Sequence, residues 1–338
     1  MEECRSKQKD LKIWNYDMKT YKCVFSCESP LNTIPDAQKI FGSLCRIIYD
    51  VKGDAQLQHY LQSLKSEDPI MIHSSMFPNQ LLPMAKKNLF GLDYVYSAIS
   101  ATENKRKLSE FSMIKKYKRI SYVTESIYQK YIEKNQLDRL KRDILKGDKQ
   151  ITVDDGILHE KGKIAYRFGQ SVLMTRNGFP KEGVEEKSLF YSKVIYFPPG
   201  TEFCIYVKTN KNKEDITALY RYLEYYGIGS RRTVGMNVFK LQRVEDCALH
   251  SEGSYKMMLS KFIPYIDEVD LKESYYTVEN SLYRSSKEYG DHRIVGRFAH
   301  MTEGSFMKVN KEKEYYGKMI QDNVDGKEIY HYAIGFVL

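Results

Sequence analysis

The sequence lacks the marks of three common protein classes. No stretch approaches the roughly 18 consecutive apolar residues of a membrane-spanning helix. Residues Met1 to Lys12 are polar and charged, without the apolar centre of a secretory leader. The expectation is a cytoplasmic protein with no membrane partner. Cysteine is sparse: the six residues, Cys4, Cys23, Cys27, Cys45, Cys204 and Cys247, form no C-x-x-C pair. That spacing argues against tight zinc motifs and favours reduced, buried thiols. The seven histidines are equally scattered, with no H-x-x-x-H. No metal site and no cofactor is read from the chain.

What is abundant is positive charge and tyrosine. Lys and Arg number 53 against 44 Asp and Glu, for a net charge of +9, and there are 28 tyrosines. The surplus is uneven: Lys105 to Lys149 holds 14 Lys and Arg against 6 Asp and Glu, a surplus of 8. Cations mixed with rings suit single-stranded nucleic acid, where charges follow the phosphates and rings stack on bases. A lysine-rich protein with another function would share this balance, so composition alone decides little. The 338 residues suffice for two domains and a substantial core.

The chain turns on the stretch from Tyr225 to Asn237, YYGIGSRRTVGMN. Ile216, Leu219, Tyr220, Leu223 and Tyr226 recur at helical spacing and predict a helix over Lys213–Tyr226. Gly227 sits where a left-handed cap ends such a helix. Alternation resumes beyond Gly235, as in a strand. The order helix, glycine loop, strand is the reverse of a dinucleotide-binding fingerprint, whose glycines follow a strand and open a helix. What remains is a loop of little side-chain bulk with Arg231 and Arg232 adjacent. Open amides and guanidinium groups suit close approach of a polyphosphate strand. A plain helix–strand turn with two solvated arginines is the competing reading.

Elsewhere, Lys19–Ser29 alternates as a first strand, with Tyr21, Cys23, Phe25 and Cys27 on one face. Asp36 caps a helix over Ala37–Val51 whose apolar stripe includes Ile40, Phe41, Leu44, Ile48 and Val51. Ile70–Ser75 reads as a strand, Lys115–Val123 as another, and Thr124–Lys146 as one long helix. Thr152–Gly183 is polar and punctuated by glycine, as in a hairpin or irregular finger. Ser188–Phe197 and Thr201–Lys208 read as a hairpin around Pro198-Pro199-Gly200. The recurrence of strands and helix predicts a weak internal duplication.

A series of segments in this order resembles a known family: DAQKIFGSL from Asp36, IHSSMFP from Ile72, KKYKRISYV from Lys115, Arg176-Asn177 followed by Leu189-Phe190-Tyr191, the glycine loop, MLSKFIP from Met258, and EGSF from Glu303. From about Lys19 to the C-terminus the chain is similar to the RAMP-superfamily subunit that caps the crRNA in type III-A CRISPR effector (Csm) complexes, the fourth Csm protein, of the Cas five group. The resemblance implies an α+β protein of two tandem ferredoxin-like (RRM-like, RAMP) domains with a glycine-rich loop and a thumb-like hairpin. The expected organisation is an N-terminal arm (1–18), a first domain with a basic helical insertion (19–150), a thumb-like hairpin and linker (151–186), and a second domain with C-terminal strands (187–338). The partners implied are the crRNA 5′ tag, the large palm-domain subunit, the backbone RAMP subunit, and target RNA near the thumb.

The residues expected at the tag are Gly227, Gly229, Ser230, Arg231, Arg232, Thr233 and Gly235. His73, Ser74, Phe77 and Pro78 are expected to line the same groove, with Lys39 and Arg46 from the helix face. Arg167, Arg176, Asn177 and Phe179 are the expected thumb contacts. The family's Asn-x-Ile-Asp-Arg pattern stands here as Arg176-Asn177-Gly178-Phe179-Pro180, without its acidic position. No catalytic residue is implied. The alternative is a RAMP endoribonuclease that processes crRNA, with His73 or His59 as general base beside Arg231.

Overall fold

The computed structural model describes residues 18–66, 68–91, 112, 114–145, 151–162, 169–178, 188–229, 231–251, 253–284, 294–324 and 326–338. The fold is α+β, with several sheets whose named pairs are antiparallel except for one. β1 (Lys19–Cys27) leads to α1 (Ala37–Lys52) and α2 (Asp54–Lys65), then to β2 (Met71–His73). The Asp36 carboxylate caps α1, accepting from the Lys39 amide at 3.0 Å. The stripe buries Ala37, Ile40, Phe41, Leu44, Ile47 and Ile48, whereas Val51, in the last turn, is exposed.

β3 (Phe77–Pro78) still belongs to the first sheet, which the chain then leaves. β4 (Leu81–Pro83), β5 (Tyr122–Thr124), α3 (Leu137–Leu145), β6 (Ile151–Asp154) and β7 (Ile157–Glu160) follow, with β4, β5, β7 and β6 forming a separate sheet. β8 (Gln170–Gly178) and β9 (Ser188–Tyr196) make a long hairpin. Only then does the chain return, as β10 (Glu202–Thr209), α4 (Lys213–Arg221), α5 (Leu223–Tyr226) and β11 (Phe239–Asp246).

The main sheet has the order β11-β1-β10-β2, with every neighbour antiparallel. Strand–helix–strand occurs twice, and the strands of one copy interleave with those of the other. This is one split βαβ unit of ferredoxin-like order. Segments 19–73 and 202–246 therefore share one sheet across the boundaries drawn at 150 and 187. What reads as a duplication in the sequence is the two halves of one sheet.

Both faces of that sheet are covered. Phe25 meets Tyr220 of α4, their ring centres 6.5 Å apart. On the opposite face Lys22 and Val24 are also buried. There Lys22 Nζ lies 2.5 Å from Glu125, just after β5. Two expected elements differ. Residues 114–118 are helical and β5 is short. The long helix over Thr124–Lys146 is interrupted by a π-turn at Tyr128–Ile132 and a turn through Asn135, whose φ is +50°, before α3 begins. β9 pairs with β8, not β10, so the proline turn redirects the chain rather than closing a hairpin.

β12 (Tyr255–Met257), β13 (Val269–Tyr275) and β16 (Phe306–Val309) form a small sheet. β14 (Val278–Arg284) with β15 (Ile294–Met301), and β17 (Tyr315–Val324) with β18 (Lys327–Phe336), form hairpins. β18 is sewn to the main sheet: the Tyr332 hydroxyl accepts from the His73 amide at 2.9 Å and donates to the His73 carbonyl at 3.0 Å.

Candidate nucleic-acid interface

The glycine loop joins α5 to β11. Asn212 caps α4, its side chain accepting from the Asp215 amide at 2.8 Å, and Ile216, Tyr220 and Leu223 face the core. Gly227 ends α5 with φ +64°, its amide donating to the Leu223 carbonyl at 2.8 Å. A Cβ there would lie 3.2 Å from Arg232 Cγ and 3.3 Å from the Asn237 carbonyl oxygen, so the loop folds tightly over this position. Arg231 is left-handed at φ +64°, Arg232–Val234 is a single 3₁₀ turn, and Gly235 is left-handed at φ +74°.

The loop is closed by its own backbone and pinned from outside. The Ile228 amide donates to the Asn237 carbonyl at 3.2 Å, and the Met236 amide to the Arg231 carbonyl at 3.3 Å. Asn237, left-handed at φ +58°, donates from its amide to the Pro30 carbonyl and from Nδ2 to Asn32 Oδ1 at 2.7 Å. Asn and Gly are the residues that tolerate this conformation most easily. The backbone is thus set by contacts within the loop and by the Pro30–Asn32 turn.

Three further cations are placed around it, or differ from expectation. Lys39 of α1 crosses Gly229: a Cβ on that glycine would lie 3.1 Å from Lys39 Cδ. Its ammonium contacts Thr33 Oγ1 at 3.2 Å and Asp36 at 3.4 Å. Arg176, expected at the thumb, lies on β8 of the hairpin and reaches the loop, its guanidinium 3.6 Å from Met236 Sδ. Its Nε is buried with no hydrogen-bond partner among the described residues. Phe190, the cross-strand partner of Arg176 in the hairpin, lies under Arg231, 5.5 Å from guanidinium carbon to ring centre. Arg232 donates to the Tyr226 carbonyl at 3.1 Å. Among the described residues, none of Arg176, Arg231 and Arg232 has a carboxylate partner. Arg46 does not join them: it is held by Asp50 at 2.6 Å.

The other expected contacts are buried. His73 is wholly enclosed, stacked on Tyr332 at 4.6 Å between ring centres, with Nδ1 3.1 Å from the Ser74 carbonyl. Burial pushes its pKa down to about 4. Ser74 is buried and accepts from the Tyr206 amide at 2.9 Å. Phe77 and Pro78 are buried where β3 pairs with β10. His73, Ser74 and Pro78 are core, which corrects their assignment to an open groove, whereas Phe77, though largely buried, lines a groove with Lys39. The run of apolar residues before His73 is the signal for a strand buried on both faces. The same burial leaves His73 no open face as a general base. His59 is exposed on α2. Neither histidine has a hydrogen bond or ion pair to Arg231 among the described residues. Arg167, Phe179, Ser230 and the arm through residue 17 lie outside the described residues, as do the side chains of Asn177 and Thr233.

Sequence reasoning missed Phe190, Asn32 and Met236, whose roles appear only when the hairpin and the Pro30 turn meet the loop. The five described cysteines are free thiols. Burial raises the pKa of Cys204 to about 12. No described helix is long and apolar enough to cross a membrane.

No protein-family profile and no curated protein matches the chain. Solved structures do. A chain of the Csm3–Csm4 subcomplex in the type III-A CRISPR-Cas interference complex superposes with a TM-score of 0.62 at 17% identity, covering 95% of this chain and 98% of its own. A chain of the Csm1–Csm4 cassette in complex with pppApA gives a TM-score of 0.51 at 16% identity, covering 94% and 97%. The component common to the two assemblies is Csm4, and along nearly its whole length the chain has that fold.

Proposed function

We propose that the chain is the non-catalytic, crRNA-binding subunit of a type III-A CRISPR interference complex, capping the 5′ tag and docking the large palm-domain subunit onto the backbone RAMP subunit. The observation that carries this reading is the glycine loop, where Arg176, Arg231 and Arg232 gather, without carboxylate partners among the described residues, around a tightly folded backbone. Guanidinium groups left unpaired at a site of low side-chain bulk are suited to phosphate oxygens. The fold agrees, because the solved assemblies that share it pair Csm4 with Csm3 and with Csm1. On this reading the tandem RRM-like plan consists of the split unit, 19–73 with 202–246, and a C-terminal unit from Tyr255 onward. The β8–β9 hairpin is the thumb, near the target RNA.

The test is the salt dependence of RNA binding by the assembled complex. Arg231→Ala/Arg232→Ala removes two phosphate contacts and lowers the slope of log K against log salt by about 1.4 for single-stranded RNA. Arg176→Ala removes about 0.7 more. An unchanged slope and undiminished bound RNA in the triple variant would overturn the reading and turn these arginines toward a protein partner.

A further inference from the structure

On the reading above the protein meets both RNA and protein subunits, and the glycine loop accounts only for the RNA. A stretch of opposite character runs from Tyr265 to Leu282. It holds five acids, Asp267, Glu268, Asp270, Glu273 and Glu279, against Lys272 alone, in a chain of net charge +9. It also leaves Tyr265, Ile266, Leu271, Tyr276, Val278 and Leu282 exposed. Acidic side chains repel phosphate, and a run of exposed apolar ones marks a surface that another protein covers.

The apex is Ile266, at 90% the most exposed of the described large hydrophobic residues. The turn that carries it is fixed from below. One oxygen of the buried Glu268 carboxylate accepts from the Tyr265 amide at 3.1 Å and the Gly317 amide at 2.8 Å, and the other accepts from Lys313 at 3.0 Å. The Glu268 amide donates to the Tyr265 carbonyl at 3.2 Å, and its carbonyl accepts from the Asn310 amide at 2.9 Å. Asn310 Nδ2 donates to the Asp267 carbonyl at 2.9 Å, so the chain is tied down on both sides of Ile266. Gly317, at φ +79°, lies so close to the carbonyl oxygens of Ala333 and Ile263 that a Cβ would approach them to 2.6 and 2.8 Å. Lys318 Nζ stands 5.1 Å from the centre of the Tyr265 ring. A loose loop could fold its isoleucine out of water, but a turn held by this many bonds keeps it there. Fixing the side chain in advance lowers the entropy lost when a partner covers it. Asp267, next to the apex, is exposed and has no basic partner among the described residues.

We propose that the Tyr265–Asp267 turn is a preorganised anchor for a protein partner: Ile266 enters an apolar socket on another subunit of the complex, and Asp267 meets a lysine or arginine at the rim of that socket. An apolar anchor inside a polar rim is how protein interfaces concentrate their binding energy. The inference rests on the reading of the chain as a subunit of an RNA-bound complex, and it names a surface used for protein rather than RNA.

The test uses the assembled complex. A benzophenone side chain in place of Tyr265 is irradiated, and its adduct is identified by mass spectrometry; the expected adduct is with another protein subunit. Ile266→Asn is then compared with the conservative Ile266→Val and with Val51→Asn, at an exposed valine outside the stretch. Ile266→Asn should weaken retention of the crosslinked subunit by about thirtyfold. Ile266→Val and Val51→Asn should stay within about threefold of the unaltered chain. All three should keep their RNA, and thermal unfolding checks that each is folded. Asp267→Lys should also weaken the association, more at low salt than at high. An adduct with RNA, no adduct at all, or full retention of the subunit by Ile266→Asn overturns the anchor and leaves the RNA-binding reading standing. An unaltered chain that purifies from its host with neither RNA nor any other subunit overturns the underlying reading, and the anchor with it.

Discussion

Two groups of cations in this protein are treated in opposite ways. Lys22, Lys208 and Lys256 are all buried, and each has a carboxylate: Glu125 at 2.5 Å, Glu314 at 2.6 Å and Glu312 at 2.8 Å. Lys22 further shares Glu125 with the Tyr206 hydroxyl, which donates to it at 2.9 Å. Around the glycine loop, Arg176, Arg231 and Arg232 have none among the described residues, and Arg176 Nε is buried without a hydrogen bond. A buried ammonium without its counter-charge would destabilise the fold, so the first group is paired within the chain. The second group is left with its charge available, which is where a phosphate ligand is expected. Net charge of +9 does not separate the two; pairing does.

The comparison is broken most forcefully at Glu125. Glu125→Ala strands Lys22 between the main sheet and the β4–β7 sheet and removes the acceptor for Tyr206. Removing one partner of a buried pair costs about 3 kcal/mol. Glu125 is partly exposed, so water recovers some of this. Denaturant unfolding should show a large fall in midpoint, with RNA binding per folded molecule unchanged. A loss below about 0.5 kcal/mol, the size of an ordinary surface change, would mean that the pair is not structural.

His73 sharpens the contrast from the neutral side. Its folded pKa of about 4 lies below the ordinary histidine value of 6.5. The unfolded chain therefore binds the extra proton first, and stability falls as pH drops through the window between those values. From pH 7 to pH 5 this group alone should remove about 2 kcal/mol. His73→Gln, whatever its effect at pH 7, should flatten that part of the stability profile. An equal slope in the variant would mean that the ring titrates normally, and with it the argument that His73 is core would fail.

How much of this was legible depends on the range of the interaction. The first strand, the capped helix from Ala37 and the helix–glycine–strand order could be read, because each is set by residues a few positions apart. The pairing of β1 with β10 could not, since alternation shows that a strand exists but not which strand it joins. That gap hid the interleaving of the two strand–helix–strand copies in one sheet. His73 and Ser74 looked like groove residues because a short apolar strand followed by serines carries no mark of the β18 hairpin that covers it. That Arg176 of the hairpin reaches the loop could not be read, since only the fold brings it against Met236. The glycine loop was legible because the Ile228–Asn237 bond that closes it lies within one segment, while its anchoring to Pro30 and Asn32 was not.

The smallest expected effect separates backbone strain from cation placement within the loop. Gly229 and Gly235 have similar left-handed conformations, φ +82° and +74°. They differ in surroundings: a Cβ at Gly235 meets open space, and one at Gly229 meets Lys39 Cδ at 3.1 Å. Alanine at either position should cost about 1 kcal/mol from the backbone alone. At Gly235 nothing else changes, so RNA affinity and its salt slope should stay as they are. At Gly229 the flexible lysine must move aside, and with it the cation that crosses the loop. Gly229→Ala should therefore weaken RNA binding where Gly235→Ala does not, at matched stability. Equal RNA affinity in the two variants would show that Lys39 contributes no charge to the strand, leaving the arginines to act without it.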